Sequence, residues 1–94
     1  MNPPAHGIRF ELLRQDTSPP RYRVELRGPE MTWSGEATVS LEDGTISLAP
    51  FVPCEPPAWA VSILRAFLRS EWRSRRDSTE TPWPTRITRW RSER

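Results

Sequence analysis

Arginine and tryptophan dominate the last quarter of this chain, and they offer the clearest chemistry in its sequence. Residues 71–94, EWRSRRDSTETPWPTRITRWRSER, carry seven arginines and three tryptophans. Guanidinium groups bind carboxylates and phosphates through paired hydrogen bonds, and indole rings stack on bases or on guanidinium planes. Such a composition is typical of protein interfaces and of nucleic-acid contacts. The candidate partner-binding residues are Trp83, Arg86, Arg89, Trp90 and Arg91.

Side chains able to perform catalysis are few. His6 is the sole histidine and Cys54 is the sole cysteine, so they are the pair from which a Cys–His nucleophile could be built. We expect His6 to lie in a loose proline-rich segment, and Cys54 to be a small buried residue at a strand-to-helix corner. The chain has no glycine-rich phosphate loop and no serine-nucleophile motif. We therefore expect no enzyme, no catalytic residue, no metal site, no cofactor and no small-molecule substrate.

Charge is distributed unevenly along the chain. Residues 1–55 carry five arginines against eight acids, and residues 56–94 carry nine arginines against four. The basic part can attract anions, or it can face the acidic part of the same molecule. Because the chain contains no lysine and eleven prolines, we attribute the arginines first to a GC-rich genome. Each arginine is then weaker evidence for a dedicated binding role.

Length and composition indicate the class of protein. A chain of 94 residues predicts a single domain. A lone cysteine excludes an internal disulfide, and the N-terminus lacks the features of a signal peptide. The longest apolar run, AWAV at 58–61, is too short to span a membrane. We expect a bacterial cytoplasmic protein that does not contact membranes, with a thin core that burial against a partner would help to stabilise.

The first half of the chain has the alternating pattern of half-buried strands. This pattern covers residues 8–14, 21–28 and 31–41. Ile46 and Leu48 begin a fourth strand, after a two-residue type I′ turn predicted at Asp43-Gly44. Gly35 falls on the apolar side of its strand, which indicates a bulge or a close backbone approach.

One amphipathic helix follows the strands. Its apolar stripe comprises Ala60, Ile63, Leu64, Phe67, Leu68 and Trp72, and its basic side comprises Arg65, Arg69, Arg73 and Arg76. The spacing places Phe67 in the middle of the stripe, so we expect it at the centre of the core. Glu71 is predicted to form an ion pair with Arg75, four residues further along the helix.

The tail can be a strand or a helix. As a helix, Trp83, Ile87 and Trp90 would share a face, whereas as a strand Ile87 and Trp90 would point to opposite faces. We favour a strand, because threonine and isoleucine suit a sheet, and we expect residues 85–91 to dock along a sheet edge.

Together these elements predict an α+β fold in two layers. A four-stranded antiparallel meander, which a C-terminal strand can extend to five, carries one amphipathic helix on one face. The single domain divides into a loose N-terminus (1–7), the sheet (8–52), the helix (56–76), and a loop with the arginine- and tryptophan-rich tail (77–94).

The strand pattern also bears on the partner. Phe10, Tyr22 and Trp33 are in phase with the aliphatic residues that the helix should cover, so we expect only Thr, Ser, Arg and Glu on the open sheet face. RNA-binding sheets instead display aromatic residues there. Our functional hypothesis is a small non-enzymatic module that binds a protein partner or itself through the C-terminal tryptophan–arginine surface. The alternative is a nucleic-acid-binding protein that uses the C-terminal arginines.

Overall fold

The computed structural model describes residues 7–17, 19–76 and 82–92. Within these ranges the elements in chain order are β1 (Ile8–Gln15), β2 (Arg21–Arg27), β3 (Thr32–Val39), β4 (Ile46–Leu48), α1 (Ala58–Arg75) and β5 (Arg86–Arg91). The sheet order is β4-β3-β2-β1-β5, and every neighbouring pair is antiparallel. With α1 packed on one face, the predicted two-layer α+β fold is confirmed, and the fifth C-terminal strand is present.

The core lies between the sheet and the helix, as the alternation of the strands requires. In β1, Phe10 and Leu12 are fully buried while Glu11 between them faces the other side. The buried side chains of the other strands are Tyr22, Val24, Leu26, Trp33, Ala37, Val39, Ile46 and Ile87. Burying one large apolar side chain stabilises a fold by about 1.5–3 kcal/mol, so this single layer of contacts supplies most of the driving force for folding.

Helix α1 contacts the sheet through a narrower stripe than its sequence suggests. Ala60, Leu64 and Leu68 are fully buried, whereas Phe67 lies at the side of the core and is partly buried. Its ring meets Phe10 edge to face, with centroids 5.4 Å apart. The predicted central position of Phe67 is therefore wrong. The helix faces the sheet with Leu64 and Leu68, and Phe67 packs at the side of the core.

The loop between β3 and β4 differs from the predicted type I′ turn. That turn requires positive φ at both central residues, but among the described residues only Gly44 has a positive φ, of 75°. The loop instead has four residues, 41–44, closed by a Ser40 N–H bond to the carbonyl of Thr45 at 2.9 Å. Asp43 keeps negative φ, and its Oδ1 accepts the Thr45 N–H at 2.9 Å. That backbone hydrogen bond is the main reason why the pKa of the Asp43 carboxyl lies below its usual range.

Gly35 marks a close approach, and its pairing with β2 is regular. The pairing of β2 with β3 runs without interruption through Val24 and Gly35. A Cβ atom at Gly35 would lie 2.8 Å from the ring of Phe51, because the chain after β4 continues alongside this strand. Two hydrogen bonds of 2.9 Å between Ser34 and Val52 hold it there.

Cys54 does not occupy the buried position expected from the sequence. Its side chain is exposed, while Phe51 and Pro56 on either side of it are buried. The proline-rich connection between β4 and α1 uses those two residues to reach the core and leaves the thiol in solvent.

Candidate functional site

The C-terminal tail forms strand β5, and this strand attaches it to the rest of the domain. It pairs antiparallel with β1, so that Ile87 lies opposite Leu12 and Arg89 lies opposite Phe10. Ile87 is 4% exposed and joins the core, while Trp90 points to the opposite face and is 40% exposed. The docking along a sheet edge that the sequence predicted is present.

A polar and aromatic cluster holds the segment that leads into β5. The Tyr22 hydroxyl donates to the carbonyl oxygen of Pro84 at 2.7 Å, and Arg75 Nε donates to the carbonyl of Pro82 at 2.9 Å. The Arg75 guanidinium also lies over the Trp83 ring, 5.2 Å from its centroid. Arg75 forms the predicted ion pair with Glu71. We call Tyr22, Glu71, Arg75 and Trp83 the tail clamp.

The hydroxyl of Tyr22, a member of the tail clamp, has a raised pKa. Its side chain is fully buried, and burial raises the pKa of its hydroxyl from 10.0 to about 12. Arg14 opposes this increase and Glu71 adds to it, both through charge. The hydroxyl therefore stays protonated in the folded state at pH values where a free tyrosine ionises.

This perturbation predicts a loss of stability in alkali. Since the folded pKa exceeds the unfolded one, the free energy of unfolding should fall as pH rises from about 10 to about 12. The chain has one tyrosine and no lysine, so Tyr22 should dominate this interval. Urea denaturation at pH 9, 10.5 and 11.5 measures the effect. In Tyr22→Phe the decline should flatten, after a loss of about 1 kcal/mol at pH 9 from the missing hydrogen bond. Equal slopes in both proteins would remove Tyr22 as the cause.

The five candidate partner-binding residues do not form one patch. Alternation along β5 puts Arg86 and Trp90 on the open sheet face, and Arg89 and Arg91 on the helix side. Arg91 extends over the Phe67 ring at 5.3 Å. Trp83 precedes the strand and is half-buried in the tail clamp, 6.5 Å from the Tyr22 ring.

The open sheet face is less uniformly polar than expected. Trp90 and Leu13 are both exposed there, by 40% and 39%, so the expectation of Thr, Ser, Arg and Glu only is wrong. Beside them, Glu11 bridges Arg9 at 2.9 Å and Arg27 at 3.4 Å. Leu13 was detectable from the sequence, because it breaks the alternation of β1. Trp90 could be placed there only once the tail was known to be a strand.

The outer edge of β5 has unpaired backbone groups and two capped carbonyls. Because the Arg14 N–H bonds to the Thr85 carbonyl and bonding direction alternates along a strand, the backbone of Arg86, Thr88 and Trp90 faces away from β1. No strand among the described residues pairs with this edge. Arg89 Nη1 donates to the Thr88 carbonyl at 2.8 Å, and Arg91 Nη1 donates to the Trp90 carbonyl at 2.7 Å.

The other edge of the sheet is also covered by an arginine. Arg65, on α1, donates from Nη1 to the carbonyl oxygen of Ile46 in β4 at 2.6 Å. The Ser34–Val52 bridge continues along the same edge. Strand β4 has three residues and β5 has six, so β5 presents the longer of the two edges.

The solvent side of α1 forms a second basic surface. A shallow groove of about 300 Å³ is lined by Ser62, Arg65, Ala66, Arg69 and Arg73, which places one arginine on each successive turn, about 6 Å apart. Across residues 7–17, 19–76 and 82–92, no three His, Cys, Asp or Glu side chains are grouped to hold a metal ion. Nor is any described helix long and apolar enough to cross a membrane.

Comparison with known proteins adds no assignment. No protein-family model matches the chain, and no curated protein or solved structure matches it significantly. The class is therefore defined by architecture: a small two-layer α+β domain whose C-terminal strand has a basic, tryptophan-bearing outer edge with which no other described strand pairs.

Proposed function

We propose that this protein is a protein-interaction module that binds an extended segment of a partner protein along the outer edge of β5, with Trp90 as the anchor. The observation that carries this proposal is the outer edge of β5, with which no other described strand pairs. The backbone of Arg86, Thr88 and Trp90 faces outward, next to an indole that is 40% exposed. Adding a strand to an open sheet edge is a recurrent mode of peptide recognition.

The two parts of the surface have different roles. Main-chain hydrogen bonds to the edge supply sequence-independent affinity, each with a net contribution of about 0.5–1.5 kcal/mol. Trp90 supplies an apolar contact on the adjacent face, and a tryptophan can bury about 150–250 Å² there. A partner residue placed opposite Trp90 would therefore determine much of the sequence preference.

A different protein fits this edge better than a second copy does. Pairing β5 with β5 of another copy would bring Arg86, Arg89 and Arg91 of both chains to one junction. Strand β5 has no acidic residue that could offset this charge, and like charges on adjacent strands are destabilising.

Peptide selection tests the proposal. Peptides are selected from a random display library on the folded protein and then measured against Trp90→Ala. We expect at least about tenfold weaker binding to this variant, because truncating an anchor removes more than about 1.4 kcal/mol. Binding to Leu41→Ala, a matched exposed residue on the β3–β4 loop that is 52% exposed, should be unchanged. Backbone amide NMR signals of residues 86, 88 and 90 should shift. Peptides that bind Trp90→Ala equally and shift other amides would contradict the proposal.

Nucleic-acid binding is the second candidate, and the α1 groove favours it. Its arginines form a regular line of positive charge, and no acidic residue lines the groove. Contacts to the phosphates of a single strand would make the logarithm of the affinity fall by about 0.7 per contact for each tenfold rise in salt concentration. If a single-stranded oligonucleotide binds with that salt dependence, and Arg69→Ala/Arg73→Ala abolishes the binding while Trp90→Ala does not, this candidate replaces the first.

A further inference from the structure

We infer that the β5 edge selects acidic segments, and this inference rests on the proposed function. The starting observation is that two of the outward carbonyls accept hydrogen bonds from guanidinium groups. Arg89 and Arg91 cap Thr88 and Trp90 at 2.8 and 2.7 Å. An incoming strand needs those carbonyls as acceptors for its own N–H groups. It can pair fully only after both guanidinium groups have moved aside.

The chemistry of the incoming strand determines whether that movement is favourable. A neutral strand would remove the guanidinium groups from the carbonyls and return only backbone hydrogen bonds. A strand with carboxylates offers each displaced guanidinium a stronger, charge-assisted partner. The capping arginines therefore disfavour the binding of neutral and basic strands, whereas the carboxylates of an acidic strand draw the guanidinium groups away from the carbonyls. The edge gains selectivity because binding of the wrong strands is penalised.

The arginines of β5 have no acidic partner within the described part of the domain. None of the ion pairs between described residues includes Arg86, Arg89 or Arg91. Glu11, on the neighbouring strand, already bridges Arg9 and Arg27. Three positive charges on a six-residue edge strand are thus available to carboxylates from outside the domain.

The register of β5 specifies where those carboxylates should lie. Side chains of an added strand alternate in step with those of β5. Positions opposite Arg86, Arg89 and Arg91 should be acidic, and positions opposite Ile87 and Trp90 should be apolar. For an antiparallel partner, read from its N-terminus, the pattern is acidic, apolar, acidic, any, apolar, acidic. Each opposite-charge pair across adjacent strands adds a small favourable contribution.

Three synthetic peptides test this inference: GSEVETVEGS, its neutral analogue GSQVQTVQGS and its basic analogue GSKVKTVKGS. Binding is followed by fluorescence anisotropy at low and high salt, and by the amide NMR signals of residues 86, 88 and 90. On the wild-type protein we expect the acidic peptide to bind at least about tenfold more tightly than the neutral one. This difference should shrink at high salt, because the charges are exposed.

Matched variants separate the caps from the general positive charge of the protein. In Arg89→Ala/Arg91→Ala the preference for the acidic peptide should largely disappear, and the neutral peptide should bind at least as well as before, because its acceptors are uncovered. In Arg69→Ala/Arg73→Ala, which removes the same charge from α1, the preference should persist. Circular dichroism of both variants verifies the fold.

The outcomes distinguish this inference from the proposed function. Equal binding of acidic and neutral peptides, with shifts at residues 86, 88 and 90, would overturn the acidic preference and leave edge binding intact. If none of the peptides, selected or synthetic, shifts those amide signals, edge binding itself would be overturned. Shifts confined to α1 with the acidic peptide would mean that it binds the helix groove, and the inference would be wrong.

Discussion

Replacing Phe10 by alanine is expected to lower the free energy of unfolding by about 3–5 kcal/mol, which is enough to unfold much of a domain this small. Phe10 has no solvent exposure and lies in β1 between the neighbouring strands β2 and β5. Its ring also supports Phe67 edge to face. Removing it creates a cavity that no neighbour can fill without moving the sheet. Chemical denaturation, monitored by tryptophan fluorescence, measures the loss of free energy of unfolding.

Two further variants place that loss on a scale. Phe67→Ala should cost less than Phe10→Ala, because Phe67 is only partly buried at the flank of the helix. Arg69→Ala, on the exposed side of α1, should stay within about 0.5 kcal/mol of the wild type. If Phe67→Ala were the more destabilising of the two phenylalanine variants, the orientation of α1 described above would be wrong.

Replacing Gly44 by valine should cost about 2–6 kcal/mol, for two separate reasons. Gly44 has φ of 75°, and a β-branched residue held there is strained by about 1–3 kcal/mol. Its new Cβ would also lie 2.6 Å from atoms of the Trp72 ring, so the indole must move and weaken its hydrogen bond to the Leu41 carbonyl, which is 3.1 Å long. Overpacking of this kind costs about 1–3 kcal/mol.

A double-mutant cycle separates the two contributions. Trp72→Leu removes the ring that the new Cβ would meet and leaves the backbone strain at Gly44 in place. Thermal denaturation of the four proteins should therefore show that Gly44→Val is less harmful in the Trp72→Leu background. Identical costs in both backgrounds would show that the close approach of Trp72 has no role, and a cost below about 1 kcal/mol in either would contradict the left-handed conformation at Gly44.

Local sequence patterns predict most of the sheet, because its strands bury alternate side chains. In β2, the alternation of Tyr22, Val24 and Leu26 with charged residues fixes both the strand and its inner face. The tail strand is different. RITRWR buries Ile87 alone, so its structure depends on the unpaired edge of β1 that receives it. The pairing with β1 decides that conformation, whereas the sequence pattern of the tail is compatible with either a strand or a helix.

The errors also have physical causes. Helical spacing identifies the apolar side of α1, but the angle at which the helix crosses the sheet decides whether Phe67 or Leu64 lies at the centre. At the β3–β4 loop, the Asp43 side chain can bond the Thr45 N–H without leaving the negative-φ region, and this favours a longer loop than Asp-Gly suggests. For the candidate site, strand alternation separates Trp90 from Arg89 once β5 is accepted as a strand. The hydrogen bonds from guanidinium groups to the backbone carbonyls could not be predicted, because no sequence pattern encodes them.

Arginine caps on both sheet edges have a consequence for the behaviour of the protein at high concentration. An uncapped edge strand can template the next molecule, and repeated edge-to-edge addition leads to fibrils. Here Arg65 covers a carbonyl of β4, and Arg89 and Arg91 cover carbonyls of β5. Guanidinium groups are not deprotonated in proteins, so this protection against self-assembly should persist in both mild acid and mild alkali, whereas a neutral imidazole in alkali could not supply it.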